Sequence, residues 1–558
     1  MAKPPHVLIL GGGFVAQRVV HVLRKAIRRG EITATVVDRD NAFTFHGLVA
    51  EMVSGRILPS NILLPGRRVF APAQLHVGEI ESIDIDAKKV STRRRLDGAR
   101  FDLDYDYAVL CIGTGENLEA YPGLTEHAFR LKHFDDCLRL KNRIIEMFEL
   151  ADIESDPEER RRLLTFFVAG GGFSGSELAG ELADLVRRLT KREYKSIKRE
   201  ECRVVVVHPG PTLLPELYGT KSTERSEKSY PKLVEYGMKR SQKLGVELLL
   251  ETRVTGATPN EVYLSNGDHI PTRTIVSTVG TRPWPLIADL DLPKDEHGRL
   301  ATDEFLRVDG RDDLWAGGDC ASVPHPRGGT CPPVALVAQK HGLQIGENIK
   351  RTLAGRSLRK YHASVIGQGI SIGNRTGVGI LKGIPLKGLV AWVTWRTVLW
   401  SVAMVSWDRR LRLLADWLIW PLVGRDISQM GPSEKATYDV RHHVYQPGET
   451  IAESARPTKL VHIIVEGNVE IVRGEHGQGE ELLETISAGE HFGRKWLERR
   501  GADAARAKSL VRTVALQEDQ ANQLQDVLLS TDRIVARTSY MRTVDVASLP
   551  RQAPDEGS

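Results

Sequence analysis

His6-Val-Leu-Ile-Leu-Gly-Gly-Gly-Phe-Val-Ala16 decides the fold. Its apolar run reads as a strand covered on both faces, and it leads directly into a glycine turn and a helix. Gly11, Gly13 and Ala16 fit the G-x-G-x-x-G/A pattern. The first glycine permits a tight turn and the second lets the backbone approach a pyrophosphate. The third position must be small so that helix and strand pack closely. The helix N-terminus then offers N–H groups and partial positive charge to phosphates. The next strand, 33–37, ends in Asp38, an acid placed to hydrogen-bond a ribose. Together these features imply a dinucleotide site.

The pattern returns at Leu164-Thr-Phe-Phe-Val-Ala-Gly-Gly-Gly-Phe-Ser-Gly175, with Gly170, Gly172 and Gly175 in register and a helix continuing through Glu177 and Glu181. Two copies imply two Rossmann-like domains and an α/β fold. In such pairs the first domain holds FAD and the inserted second binds NAD(P)H transiently. The strand after the second motif, 202–207, ends in His208. An acid there would bond both ribose hydroxyls and select NADH, and an Arg would favour NADPH. His208 does neither, so both nucleotides stay open at this position.

The chain has 558 residues, enough for three or four domains. Its net charge of +5 is mixed along the sequence, which argues against nucleic acid as a partner. The five cysteines form no C-x-x-C and no metal-ligand spacing. They read as packing residues of a reduced, cytosolic-side protein. The run at 7–10 is a strand, not a signal peptide. Further along, 107–112 reads as a buried strand ending in Gly113 and Thr114, 133–150 as a helix, and 152–162 as a charged connector. Strands follow over 246–282, and Val279-Gly-Thr-Arg-Pro283 closes the second domain. Leu314-Trp-Ala-Gly-Gly-Asp-Cys320 brings Gly317 and Asp319 to the end of a short strand. Residues 331–342 form a turn and a helix whose N-terminus suits developing negative charge.

On Gly11–Ala16, Asp38, Gly170–Glu181, Gly317–Asp319, Pro332–Gly342 and Arg425-Asp-Ile427, the chain resembles the type II NADH dehydrogenases. These are membrane-associated single-chain flavoproteins that pass electrons from NADH to quinone without pumping protons. The resemblance spans about residues 5–430. It implies FAD held by Gly11, Gly13, Phe14, Val15, Ala16, Asp38, Arg39, Gly113, Thr114, Gly317, Asp319, Ala335 and Leu336. It implies NADH, with NADPH as the alternative, held by Gly170, Gly172, Phe173, Ser174, Gly175, His208 and Gly280. Glu177 matches a helix glutamate that the family places near the flavin for proton handling. One motif departs: the family's Ala-Gln-x-x-x-Gln lines the quinone side of the flavin, and its two glutamines fall here on Leu336 and Lys340, with Gln339 out of register. Lys340 keeps a hydrogen-bond donor for the quinone; Leu336 does not. The implied domains are 1–130 and 301–350 for FAD, 160–300 for NAD(P)H and 351–432 for membrane association. A reductase with a soluble acceptor and a flavin redox sensor are the alternative functions.

Six of the nine tryptophans lie within 392–420. The stretch 388–407 is long enough to span a bilayer, but Arg396 sits at its middle, and 411–423 is too short to span. On the second segment Arg409, Arg412 and Asp416 share one face, leaving Leu411, Leu414, Trp417 and Leu418 to the other. The expectation is a monotopic anchor over 388–424 on the cytoplasmic face of the membrane, with arginines snorkelling. A homodimer interface, a buried core or a true span are the alternatives. Beyond 439 the strand and turn pattern resembles a cyclic-nucleotide-binding β-roll, covering 439–535. Its ribose-binding Glu position is Arg494, and Arg506 stands near the place of the phosphate-binding Arg. The module therefore reads as a packing or regulatory element that takes no cyclic nucleotide. Residues 540–558 read as a disordered tail.

Overall fold

The computed structural model describes residues 3–217, 229–326, 328–362, 367–430, 441–454, 460–474 and 480–517. The expected tail at 540–558 and the end of the β-roll beyond 517 lie outside them. The chain divides into two compact units. The first comprises 1–118, 129–253 and 274–429; the second comprises 119–128, 254–273 and 430–558.

The first unit carries both glycine-turn domains. In the first, His6–Leu10 is the centre of a five-stranded sheet, in the order 314–316, 107–110, 6–10, 33–38, 74–77, with every pairing parallel. Val7 to Leu10 are wholly buried, as a strand covered on both faces requires. In the second, Thr165–Ala169 lies between 203–207 and 274–277, again parallel, with 246–249 beyond. Each central strand feeds a helix, Phe14–Arg28 and Phe173–Arg192. The helix Ala335–Leu353 packs along the first of these. The approach is close because a Cβ on Gly342 would lie 2.3 Å from the Val15 carbonyl oxygen and one on Gly346 would lie 2.8 Å from Val22 Cβ.

Two readings change. The charged connector contains a helix, Pro157–Leu163, because Asp156 caps it by accepting from Glu158 N–H and Pro157 fits its first turn. The stretch 388–407 is not one rod. Gly388–Val398 is helical, a wider turn follows over Leu399–Ala403, and a second helix runs Trp407–Val423. Among the described residues no helix is long and apolar enough to cross a membrane. Ten of the sixteen exposed large apolar side chains of the described residues fall between Ile384 and Leu422. Trp407, Leu411, Leu414, Leu418 and Leu422 all point outward.

The second unit is a roll of two antiparallel four-stranded sheets, in the orders 441–445, 511–517, 460–466, 491–493 and 450–453, 504–507, 468–473, 481–487. Ile464, Val469, Ile471, Phe492, Leu497 and Val511 fill its core. Two earlier stretches complete the unit. One is the three-stranded sheet 254–257, 261–264, 269–271, and the other is the short helix Leu124–His127. Val444 N–H donates to His127 Nε2 at 3.2 Å, and Arg512 pairs with Glu126 at 2.8 Å.

Candidate active site

In the first motif Gly11 adopts φ +105°, and a Cβ there would fall 2.5 Å from the Cys111 carbonyl oxygen, so only glycine makes this turn. Asp38 accepts from Gly12 N–H through Oδ2 and from Asp40 N–H through Oδ1. Burial pushes its pKa up, and those N–H groups oppose the rise. Gly13 stands bare at the helix start, with no chain atom within 4 Å of where a Cβ would be. A dinucleotide phosphate fits this cradle. Val15 and Ala16 are buried in the first turn of the helix, and Phe14 stands edge-on to Phe43 and Phe45. Arg39 leans on His133 and Asp40.

Three distant stretches meet beside this cradle. Thr114 is buried, and Gly113 turns the chain with φ +70°. Lys132 Nζ donates to Thr114 Oγ1 at 2.8 Å and to its carbonyl at 3.0 Å. His46 Nε2 bonds the Lys132 carbonyl oxygen at 2.8 Å. Burial raises the pKa of Asp319, while the charges of Lys132 and His46 oppose the rise. Gly317 lies against His341, whose Nδ1 accepts from Gly318 N–H at 3.2 Å. Burial holds the His341 ring neutral, with its pKa lowered to about 3. Ala335 opens the following helix and is exposed, while Leu336 is buried and Lys340 half-buried. Gln339 points elsewhere and accepts from Arg18. Lys132, His46 and His341 carry no motif signal in the sequence. Only the fold collects them.

The two domains touch through a short antiparallel ribbon, Thr114–Gly115 with Arg282–Pro283. Gly280, at φ +65°, stands 3.5 Å from Asn117 Cβ when given a Cβ. The predicted turn of the first domain and the closing turn of the second are thus adjacent.

In the second motif Gly170 has φ +108°, and a Cβ on Gly175 would lie 1.9 Å from the Gly170 carbonyl oxygen. His208 Nδ1 accepts from Gly171 N–H at 3.2 Å, the bond that Asp38 accepts from Gly12 in the first motif. His208 therefore occupies the acid's position as a neutral acceptor, and burial lowers its pKa. Gly172 caps the helix without a side chain, Ser174 is exposed, and Phe173 N–H donates to Glu216.

Further along that helix, Glu177 accepts from Ser371 Oγ at 2.9 Å and from its N–H, and burial pushes its carboxyl up to about 7. One turn on begins a buried charge cluster. Arg56 reaches Glu181 at 3.1 Å and Asp184 at 2.8 Å, and Arg425 reaches Asp184 at 2.6 Å. Asp426 pairs with Lys141 at 3.1 Å, and its N–H donates to the Gly55 carbonyl. The Arg425-Asp-Ile427 match is therefore a clamp joining both domains. Arg396 does not snorkel: it is buried, ion-paired with Glu51, and lies 3.7 Å from the Trp392 ring centroid. Asp416 accepts from Asn61 Nδ2 at 2.6 Å. All five cysteines are free and buried.

Two parallel-sheet domains, each with a glycine turn at the C-terminal edge of its sheet, joined by a ribbon between 114–115 and 282–283, define a two-dinucleotide oxidoreductase. The chain belongs to the pyridine nucleotide-disulphide oxidoreductase family, whose model matches residues 5–342. A cyclic nucleotide-binding domain model matches residues 442–527. The type II NADH:quinone oxidoreductase Ndh of Mycobacterium tuberculosis is 27% identical over 435 residues, 75% of this chain and 89% of that protein. The internal alternative NAD(P)H-ubiquinone oxidoreductase A1 of Arabidopsis thaliana mitochondria is 25% identical over 459 residues, 77% and 86% of the two chains. Among solved structures, that of NDH2 from Plasmodium falciparum in complex with NADH superposes with a TM-score of 0.69 at 17% identity. It covers 76% of this chain and 100% of that one, a likeness of fold.

Proposed function

We propose that this protein is a type II NADH:quinone oxidoreductase that holds FAD in its first domain, takes NADH at its second and works at a membrane surface without pumping protons. The observation that carries the reading is the ribbon between Thr114–Gly115 and Arg282–Pro283, which supports it by joining the return turn of the first domain to the closing turn of the second. Relatives that share about a quarter of its residues over most of their length carry the same activity in their names. Gly11, Gly13 and Asp38 would hold FAD, which would supply a two-electron acceptor for the NADH hydride and a donor to the quinone.

The chain's own task is positioning. Gly11, Gly13 and Asp38 seat one nucleotide, and Asp319, Lys132 and Thr114 surround its far end. Gly170, Gly172, Gly175 and His208 seat the other, and a neutral His208 lets NADPH compete. Lys340 presents a donor to the quinone on the helix where Leu336 supplies only an apolar wall. Glu177, with a carboxyl raised to about 7 and held by Ser371, takes or releases a proton near neutral pH. The outward apolar residues of 384–422 lie in the lipid interface on the cytoplasmic side, where a lipid-dissolved quinone arrives. The β-roll serves packing or regulation and takes no cyclic nucleotide. In support, Arg506 lies on a strand and is paired with Glu480, and Arg494 is paired with Glu498.

The test is NADH oxidation by the purified, flavin-containing protein with a short-chain quinone added or withheld. Rapid turnover that requires quinone is expected. Flavin that NADH bleaches but quinone does not reoxidise would reject the acceptor assignment and leave the donor half intact.

A further inference from the structure

The two glycine turns share a backbone, but their helix N-termini are not alike. At the first, the space over Gly13 is clear of the chain. At the second, the same space is filled by the protein's own carboxylate. Glu216 Oε1 accepts from Phe173 N–H at 2.8 Å, and a Cβ on Gly172 would lie 2.7 Å from that oxygen. Phe173 is the first residue of the helix Phe173–Arg192, so its N–H is one of those a pyrophosphate would claim.

The segment that brings Glu216 here is held on both sides. Leu214 N–H donates to the Gly171 carbonyl at 2.8 Å, and Leu213 packs over Gly171. Leu214 adopts φ +58°, a conformation that a leucine seldom takes. The turn Pro215–Leu217 follows at once, and Gln368 Nε2 donates to the Glu216 carbonyl at 3.2 Å. The second carboxylate oxygen, Oε2, is buried with no hydrogen-bond partner among the described residues. Half of the carboxylate is satisfied by the helix end and half pays for its burial, which leaves the group poorly anchored.

We propose that Glu216 is a built-in competitor for the pyrophosphate of the nicotinamide nucleotide: it caps the second glycine-turn helix in the free protein and must leave for NADH to bind. The inference rests on the reading of this domain as the NADH site. Two anions cannot share one helix end, so every binding event displaces the carboxylate. Glu216 thereby weakens affinity for the nucleotide in both redox forms, and it hastens release of the oxidised product. Burial raises the pKa of Glu216, in keeping with a carboxylate that gains little from its seat.

The experiment is calorimetric titration of the full-length protein with ADP-ribose, which carries the pyrophosphate and no nicotinamide, and with adenosine, which carries neither. Glu216→Ala is expected to tighten ADP-ribose roughly tenfold, the size of a helix-end anion effect, and to leave adenosine unchanged. Glu216→Gln keeps the shape and the acceptor but loses the charge, and it gives a smaller gain in the same direction. ADP-ribose affinity that is unchanged or weaker in both variants overturns the proposal, the second result making Glu216 a binding group instead. If wild type reduces its flavin with NADH and both variants match its ADP-ribose affinity, only this inference fails. If no form binds ADP-ribose, the assignment of the second domain fails and takes the inference with it.

Discussion

Removing the guanidinium of Arg396 should destabilise the first unit by roughly 3–5 kcal/mol, the cost of breaking a buried ion pair from one side. Both partners are buried, Arg396 to 5% and Glu51 to 2% exposure. Among the described residues Glu51 has one other donor, Trp417 Nε1 at 3.3 Å, which is too little to carry a buried carboxylate alone. Arg396→Met keeps the stem between Trp392 and Trp417 and deletes only the charge. At about 2 °C per kcal/mol for a large domain, the unfolding midpoint should fall by roughly 6–10 °C. Adding Glu51→Gln should restore most of that loss, because the uncompensated charge goes with it. The assay is thermal unfolding followed by release of flavin fluorescence. A single variant within 1 °C of wild type, or a double variant as unstable as the single, would refute the reasoning and return Arg396 to the snorkelling role its sequence position suggests.

Other outcomes follow from the same geometry. Asp319→Ala should lower the flavin content of purified protein, read from the visible absorbance per chain; full occupancy would remove Asp319 from the site. The raised Glu177 pKa means that the folded state holds a proton that the unfolded state has lost. This contribution is therefore intact below pH about 4.5 and falls away as pH rises to about 7. Subtracting the stability–pH curve of Glu177→Gln from that of wild type should isolate the slope, and parallel curves would contradict the assigned shift. Leu418→Asp and Leu422→Asp should each weaken flotation with anionic lipid vesicles by about tenfold or more, the worth of one buried leucine; unchanged flotation would move the lipid contact elsewhere. Direct titration with cyclic AMP should give no heat, since Arg506 is spent on Glu480.

Both glycine turns were legible because their chemistry is local: a buried strand, a bare turn and a helix are contiguous in sequence. The short strand Leu314–Ala316 that leads to Asp319 was legible for the same reason. Lys132, His46 and His341 were not, since each works through a partner that the topology brings from far away, and a single Lys or His in a loop carries no pattern. The Arg396 reading failed for a related cause. A charge inside an apolar run looks like a snorkelling residue until its partner is found 345 positions earlier, on Glu51. Arg425 stands in a recognisable sequence motif, but its purpose appears only with Arg56, Glu181 and Asp184 around it. Glu216 follows a Leu-Leu-Pro turn with no signature at all, and only the distance to Phe173 N–H singles it out.

The second unit is sewn from three separate lengths of chain, with 119–128 and 254–273 built into it alongside the roll. An appendage added to the end of a finished enzyme would leave nothing behind when cut away. Here a truncation at residue 430 would remove the partners of Glu126 and His127 and the chain packed against Gly256 in the sheet 254–271. The roll is thus no detachable passenger. Any shortened version of this protein would need 119–128 and 254–273 redesigned along with the cut, since both segments pack with the roll as one unit.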